Sequence, residues 1–381
     1  MKKVLFVSNV LSHIHAFHLP YIKWFQDHGY EVHVMANNNG QQTEGFDRYY
    51  DVKIIRSPFS LGNIKAYRDA KRIIEEENYD VVHCHTPMGG VIGRLASKGI
   101  RKRGAKVIYT AHGFHFYNGA PLINWLLYYT MEKSLVKNTD AIVTINTEDH
   151  ARLEKMIGKG LCRPYYVKGV GIDTGRFSPS SQELREQKKE ANGYGGKILM
   201  FYAAEFIKRK NHAFLIENFA KVAAEYPNAM LLLAGKGPLQ EKMEQLVRRL
   251  SLEDRVQFLG FRRDIPELLS MVDINLSTSL QEGLPINVVE GVASGCPELV
   301  SDIRGSIDIV QDGHNGYVYR GGQADDFCRK AAQLLGDVQL REQMSRNNLE
   351  QIKEMDIQVL VEQMADIYTE TLKESVHIET V

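Results

Sequence analysis

Strand–helix alternation, run through twice in succession, constrains this chain more than any other feature. Short apolar, β-branched stretches at residues 3–7, 31–35, 52–55, 81–84, 106–109, 141–145 and 165–167 have the length and composition of buried strands. Helical spacing separates them, as at 67–78 and 121–136. The alternation pauses at 179–196, which is polar, charged and glycine-rich. A second series then begins, with strands expected at 197–203, 229–234, 256–259, 274–278 and 297–301. Helices are expected at 212–225, 238–250, 265–272, 285–294 and 324–335, and a last one from 359. Alternation of this kind implies a parallel sheet covered on both faces, so the chain reads as an α/β protein with two Rossmann-like, doubly wound domains. The expected boundaries are 1–178, a linker at 179–196, and 197–358, with the C-terminal helix 359–381 packing back on the first domain. Ligands of such sheets sit beyond the carboxyl ends of the strands, which predicts an interdomain cleft.

Composition removes several classes. The 381 residues carry 47 Lys and Arg against 47 Asp and Glu, which speaks against a general nucleic-acid binder. The balance is uneven: residues 1–190 hold 27 basic and 19 acidic side chains, residues 191–381 hold 20 and 28. Opposite halves suit two units facing different partners. The first residues, MKKVLFVSNV, read as a first strand rather than a leader, and no run of about 20 apolar residues offers a membrane span. Cys84, Cys162, Cys296 and Cys328 form no CxxC pair and read as reduced thiols of a cytoplasmic protein.

The strongest chemical signal is EGLPINVVE at 282–290. Glu282 and Glu290 stand eight apart across a strand–loop–helix junction, with Pro285 where a helix can begin. Free backbone N–H groups at such a start suit phosphate oxygens, and ionised carboxylates accept hydrogen bonds from a polyol. Spacing alone leaves open an exposed acidic loop followed by a surface glutamate. The flanking residues, Ser279 before and Ala293-Ser294-Gly295-Cys296-Pro297 after, make this stretch resemble the E-x7-E region of family 4 retaining glycosyltransferases, which have the GT-B fold. Other segments follow in the family's order. Residues 169–177 (GVGIDTGRF) are similar to its GVDxxxF segment, and 204–211 (AEFIKRKN) to its GRLxxxKG loop. Residues 233–238 (LAGKGP) are similar to its GxGP turn, and 256–260 with Ile265-Pro266 to its base-binding strand and loop. In the first half, 110–117 (TAHGFHFY) resembles the subgroup that builds capsular and exopolysaccharide repeat units, as does 301–305 (SDIRG).

The resemblance implies transfer of a hexosyl or N-acetylhexosaminyl group from a nucleotide-sugar donor, with UDP the nucleotide of the subgroup. It implies retention of the anomeric configuration, no metal and no other cofactor, and a lipid-linked saccharide or glycan acceptor. The first domain takes the acceptor and the second the nucleotide. Carried over residue by residue, His112, Lys210 and Glu282 are the catalytic candidates: His112 beside the donor sugar, Lys210 on the diphosphate, Glu282 on the sugar. Glu290 faces the ribose, and Glu205, Arg209, Gly235, Gly237, Gly283, Leu284, Pro285 and Ile286 belong to the donor side. Glu205 departs from the family, which more often has arginine there. Either Arg209 supplies the missing charge, or Glu205 has another task such as orienting Lys210. Asn9 and His15, after the first strand, are the acceptor-side candidates. His83 and His85 put two rings on one strand face, but no further ligand is placed by spacing, so no metal is expected there.

Residues 114–129 are rich in aromatic side chains, and Arg101-Lys102-Arg103 stands near in sequence. The segment fits either a peripheral membrane contact on the inner face of the plasma membrane or a buried aromatic helix. Two other functions share the fold: a nucleotide-sugar epimerase, and a silent donor-binding subunit. Glu205 and Glu298, unusual for the family, favour the second.

Overall fold

A computed structural model describes residues 1–157 and 162–373. The chain divides into two compact units, 172–356 and 1–171 joined by the segment that starts at Ile357. Positions 374–381 of the expected terminal helix lie outside the described residues.

The first unit holds seven parallel strands: β1 (Lys3–Val10), β2 (Glu31–Asn37), β3 (Arg48–Asp51), β4 (Val81–His85), β5 (Lys106–Ala111), β6 (Ala141–Thr144) and β7 (Arg163–Tyr166). Their spatial order is β3-β2-β1-β4-β5-β6-β7. Side chains alternate between two cores, Leu5 and Val7 on one face and Val4 and Phe6 on the other, as period-2 geometry requires. The helix Ile357–Lys373 closes the second face through Leu360, Met364, Ile367 and Tyr368, spaced for one helical stripe. Its Tyr368 hydroxyl lies 3.0 Å from His83 Nδ1.

The second unit holds six parallel strands: β8 (Ile198–Ala203), β9 (Ala229–Ala234), β10 (Val256–Gly260), β11 (Ile274–Ser277), β12 (Glu298–Ser301) and β13 (Gly316–Tyr319), ordered β10-β9-β8-β11-β12-β13. Both sheets are therefore doubly wound, and strand order reverses at β1/β4 and at β8/β11. Those switch points are where such sheets bind ligands.

Three local expectations change. The third strand is Arg48–Asp51 rather than 52–55; it is an edge strand with exposed Arg48 and Asp51, while Val52 and Ile54 are buried just beyond it. The edge strand β13 was not expected, because four residues beginning with Gly316 give too short a pattern. The linker at 179–196 is instead largely the helix Gln182–Ala191, held on the second unit. Ser181 caps it by accepting from the Leu184 N–H at 3.2 Å. Buried Lys189 pairs with Asp273 at 2.7 Å, and Lys188 donates to Ser270 Oγ at 2.7 Å. Polar contacts rather than an apolar stripe dock this helix, so hydropathy does not reveal it.

Candidate active site

In the second unit the loop after β8 and the loop after β11 are joined at the switch point. Residues Lys208–Lys210 form one 3-10 turn, ended by Asn211 in the left-handed region at φ 55°. The Lys210 carbonyl accepts from the Tyr202 hydroxyl at 3.1 Å and from Thr278 Oγ1 at 3.2 Å. The Arg209 carbonyl accepts from the Leu280 N–H at 2.8 Å. These bonds fix the turn against the loop that carries Glu282. Glu282 itself is 6% exposed, and each of its oxygens takes a cation: Lys210 Nζ at 2.6 Å and Arg209 Nη1 at 2.7 Å. Arg209 also donates to the Gln281 carbonyl at 3.0 Å.

The trio carries one net positive charge and stands directly before the helix Ile286–Ala293. The Val288 and Val289 N–H groups turn back to the Pro285 carbonyl at 3.0 and 3.2 Å. Those of Gly283, Leu284 and Ile286 have no acceptor among the described residues. Cations and free N–H groups at a helix start are the chemistry that suits an anionic group such as a phosphate. Sequence reasoning missed one member: Arg304, buried, donates from Nε to the Glu282 carbonyl at 3.0 Å. Gly305 lets that segment approach, since a Cβ there would meet the Gly283 carbonyl oxygen at 2.5 Å.

Glu205 has no contact with Lys210, whose partner is Glu282; the idea that Glu205 orients Lys210 is therefore corrected. Glu205 is exposed at a pocket of about 390 Å³ beyond the ends of β8, β9 and β10, with Gly235, Arg262 and Ile265. Gly235 and Gly237 have a packing reason. Gly235 has φ +147°, and a Cβ on it would strike the Ala204 carbonyl oxygen. A Cβ on Gly237 would lie 2.6 Å from the Phe206 nitrogen. Glu290, on the helix, is half-buried, and its carboxylate has no hydrogen bond among the described residues. Burial pushes its carboxyl up to about 7, with Arg176 pulling the other way. Glu298 is fully buried in β12, where Asn275 Nδ2 reaches both its oxygens at 3.1 and 3.0 Å. It is a core group, so its support for a silent subunit falls away.

In the first unit the switch point brings Asn9 and Thr86 together: the Asn9 N–H donates to Thr86 Oγ1 at 3.1 Å. Thr86 sits at φ 61°, ψ 153°, a region nearly confined to glycine, and such strain costs about 1–3 kcal/mol. A pocket of about 490 Å³ opens here, with Asn9, His13, Arg56, Thr86, His115 and Tyr128 among its walls. His15 is not among them; its ring lies along Phe46 at 6.2 Å. Two positions along a helix are about 200° apart, so in the helix Leu11–Phe17 the residue that reaches the pocket is His13. His112 follows β5 and is half-buried, with its Nε2 3.5 Å from His85 Nδ1 and its ring edge-on to His13 at 4.4 Å. Burial holds its imidazole well below the usual histidine range, so it is neutral at pH 7. His83 is a structural histidine, with Nε2 2.8 Å from Thr110 Oγ1 and Nδ1 on Tyr368.

The aromatic segment faces inward: Phe114 and Phe116 are buried and Trp125, Tyr128 and Tyr129 pack on the core. The side chains left outside are aliphatic, with Leu122 87% exposed and Leu126 65%. Arg101 and Arg103 are tied to Asp140 and Glu75. No helix among the described residues is long and apolar enough to cross a membrane.

Comparison with known proteins gives the family. Residues 3–146 match the family model "Glycosyl transferase 4-like", and residues 184–351 match "Glycosyl transferases group 1". EpsD of Bacillus subtilis (strain 168), a protein assigned as a glycosyltransferase, is 40% identical over 97% of this chain and 96% of its own. An Escherichia coli UDP-Gal:alpha-D-GlcNAc-diphosphoundecaprenol alpha-1,3-galactosyltransferase is 23% identical over 94% of each chain. In fold, the crystal structure of Anabaena Alr3699/HepE in complex with UDP superposes with a TM-score of 0.79 at 19% identity, over 97% of this chain and 100% of that one. Enzymes of this type act without a metal cofactor. The chain belongs to the group 1, family 4 glycosyltransferases and has their GT-B fold of two Rossmann-like domains.

Proposed function

We propose that this glycosyltransferase moves a sugar, with retention, from a UDP-sugar to a lipid-diphosphate-linked saccharide at the cytoplasmic face of a membrane, in surface polysaccharide synthesis. The observation that carries the donor half is the Glu282–Arg209–Lys210 cluster beside the free N–H groups of 283–286. In this reading Lys210, Arg209 and the helix start stabilise the leaving diphosphate as its charge grows. Glu282 orients both cations and meets the donor sugar, and Glu290 accepts from the ribose hydroxyls. The pocket at Glu205, Gly235 and Arg262 takes the base. His112, neutral, hydrogen-bonds a sugar hydroxyl. The departing phosphate oxygen takes the acceptor's proton as the new bond forms on the same face. UDP is favoured because the Anabaena protein was crystallised with it and the Escherichia coli relative is named for a UDP-sugar and a diphosphoundecaprenol acceptor.

The acceptor half rests on the first unit's pocket. Its polar depth holds Asn9, Thr86 and His13, and Arg56 stands among its walls as a partner for a lipid diphosphate. Exposed apolar side chains flank two of its wall segments in sequence: Phe59 and Leu61 (81% exposed) beside Pro58, Leu126 and Leu127 beside Tyr128. Such side chains insert at headgroup depth. The test has two parts. Melting temperatures with UDP-, GDP-, ADP- and dTDP-sugars, without metal, should rise selectively for one UDP-sugar. Sedimentation with anionic vesicles should fall at least fivefold in Leu122→Ser/Leu126→Ser. Selective stabilisation by a GDP-sugar would reject the nucleotide, and vesicle binding unchanged in the double variant would reject the membrane face.

A pH dependence follows from Glu290. With its carboxyl near 7, the free protein is mostly protonated there at pH 6 and mostly ionised at pH 8. Ribose hydroxyls donate to the ionised form, so binding releases a proton and tightens as pH rises. Affinity for the UDP-sugar should increase about tenfold between pH 6 and 8. The sugar ester is the right probe, since its diphosphate has no titration near neutrality. Calorimetry in Glu290→Gln should show weaker binding with no slope; a slope that survives the substitution would assign it elsewhere. The sign for stability is opposite: the unliganded fold binds this proton more tightly than the unfolded chain, so Glu290's contribution declines as pH climbs from the ordinary carboxyl value towards 7.

A further inference from the structure

Five histidines from three separate segments meet at the carboxyl ends of β1, β4 and β5, which are adjacent in the sheet. His18 stacks on His85 with centroids 3.7 Å apart, His83 lies 4.1 Å from His85, and His13 lies 4.4 Å from His112. Most of their ring nitrogens lack a protein partner. His18 is 2% exposed and neither of its nitrogens is hydrogen-bonded. The Nε2 atoms of His13 and of fully buried His85 are likewise without a partner. Buried polar atoms are normally satisfied, so several orphaned nitrogens in one place require an explanation. Core packing does not give it, because an apolar ring of similar size would fill the same space without leaving those nitrogens unmatched. One nitrogen each of His13, His18 and His112 lies within 4.8 Å of the others. Nitrogens bound at about 2.0–2.1 Å to one tetrahedral ion are about 3.3–3.4 Å apart, a difference that ring rotation and a small movement of the helix Leu11–Phe17 can close.

From this geometry we infer that His13, His18 and His112 form a binding site for one late first-row divalent ion, Zn²⁺ by preference, within the first unit. Three imidazoles and one open position make a four-coordinate site. Ligands of this kind must be neutral, and burial lowers the His13 imidazole to about 4 and those of His18 and His112 well below the usual range. His85 supports the site from behind: its Nδ1 faces the Nε2 of His112 at 3.5 Å, the outer contact that orients a metal-bound histidine. The cations proposed to hold the diphosphate are Arg209 and Lys210 of the other unit, so the ion is not proposed as a cofactor of transfer. Its effect is inhibitory: a metal-bound His112 cannot serve the sugar. That consequence rests on the role proposed for His112, whereas the site itself does not.

The experiment uses full-length protein without an affinity tag, titrated with ZnCl₂ against a chromogenic chelator. One ion per chain should be taken from the chelator, and Co²⁺ should give the intense visible bands of four-coordinate nitrogen ligation. His13→Gln and His112→Gln should each weaken binding at least tenfold, while His28→Gln, on the exposed surface, should leave it unchanged. His13 is half-exposed on its helix, so its variant keeps the fold, which the melting curve checks. Absence of saturable binding, or binding equally tight in both variants, would overturn the site. Binding as expected with no loss of transfer would keep the site and reject the sugar role of His112.

Discussion

Glu282→Gln lowers the transfer rate constant by about 10²–10³, the loss typical of removing one preorganised group from a transition-state charge site. The wild-type carboxylate holds Lys210 at 2.6 Å and Arg209 at 2.7 Å with one oxygen each. An amide of the same shape can accept from one cation but presents N–H groups to the other, which must swing away. The diphosphate then meets one aligned cation rather than two. Donor binding depends also on the base pocket and on the free N–H groups of 283–286, so KM for the donor should change less than tenfold while kcat falls. Lys210→Met should produce a loss of similar size. The double variant should be little worse than either single one, because the pair acts as a unit. Steady-state kinetics on the four proteins give the answer. Unchanged transfer in Glu282→Gln would remove the residue from the chemistry, and additive losses would mean that Lys210 acts without it.

The residues of the proposed donor side could be named from sequence because they are local in it. Glu282 through Glu290 lie within one loop and one helix, and Arg209-Lys210 within one turn. What spacing could not supply is the ion-pair pattern, which needs the β8 and β11 loops brought side by side. The histidine cluster of the first unit was barely legible for the same reason. His13, His18, His85 and His112 come from segments up to about a hundred residues apart, and only the strand order β1-β4-β5 collects them. Sequence alone named His15, with no helical phase to decide between it and His13. The helix Leu11–Phe17 reverses that choice by phase alone. The fold was read almost entirely from periodicity. It failed where a strand is a short sheet edge, as at Arg48–Asp51 and Gly316–Tyr319, or where an element is docked by Lys189 and Asp273 rather than by an apolar face.

The largest stability effect is expected at a residue far from the donor. Arg94, with no exposed surface, donates from Nη2 to Glu132 at 2.8 Å and from Nε to the Gly90 carbonyl at 2.8 Å, and its guanidinium lies 4.0 Å from the centre of the Tyr109 ring. The pair ties the helix Pro87–Ala96 to the helix Thr130–Leu135, and the latter continues directly from the segment bearing exposed Leu122 and Leu126. Removing one partner strands the other charge in the core, so Glu132→Ala should destabilise the protein by about 3–5 kcal/mol in urea unfolding. Replacing both partners with apolar residues of similar volume, Arg94→Met with Glu132→Leu, should recover most of that loss, because desolvation of two charges offsets much of their attraction. The same cycle bears on function. If the Arg94–Glu132 tie sets the position of the segment proposed to face the membrane, the double variant should be stable yet bind anionic vesicles less tightly than wild type. Equal vesicle binding by a stable double variant would show that the aromatic packing of Trp125 and Tyr129 holds the segment without the ion pair. A double variant as unstable as Glu132→Ala would show instead that the pair contributes net stability to this fold.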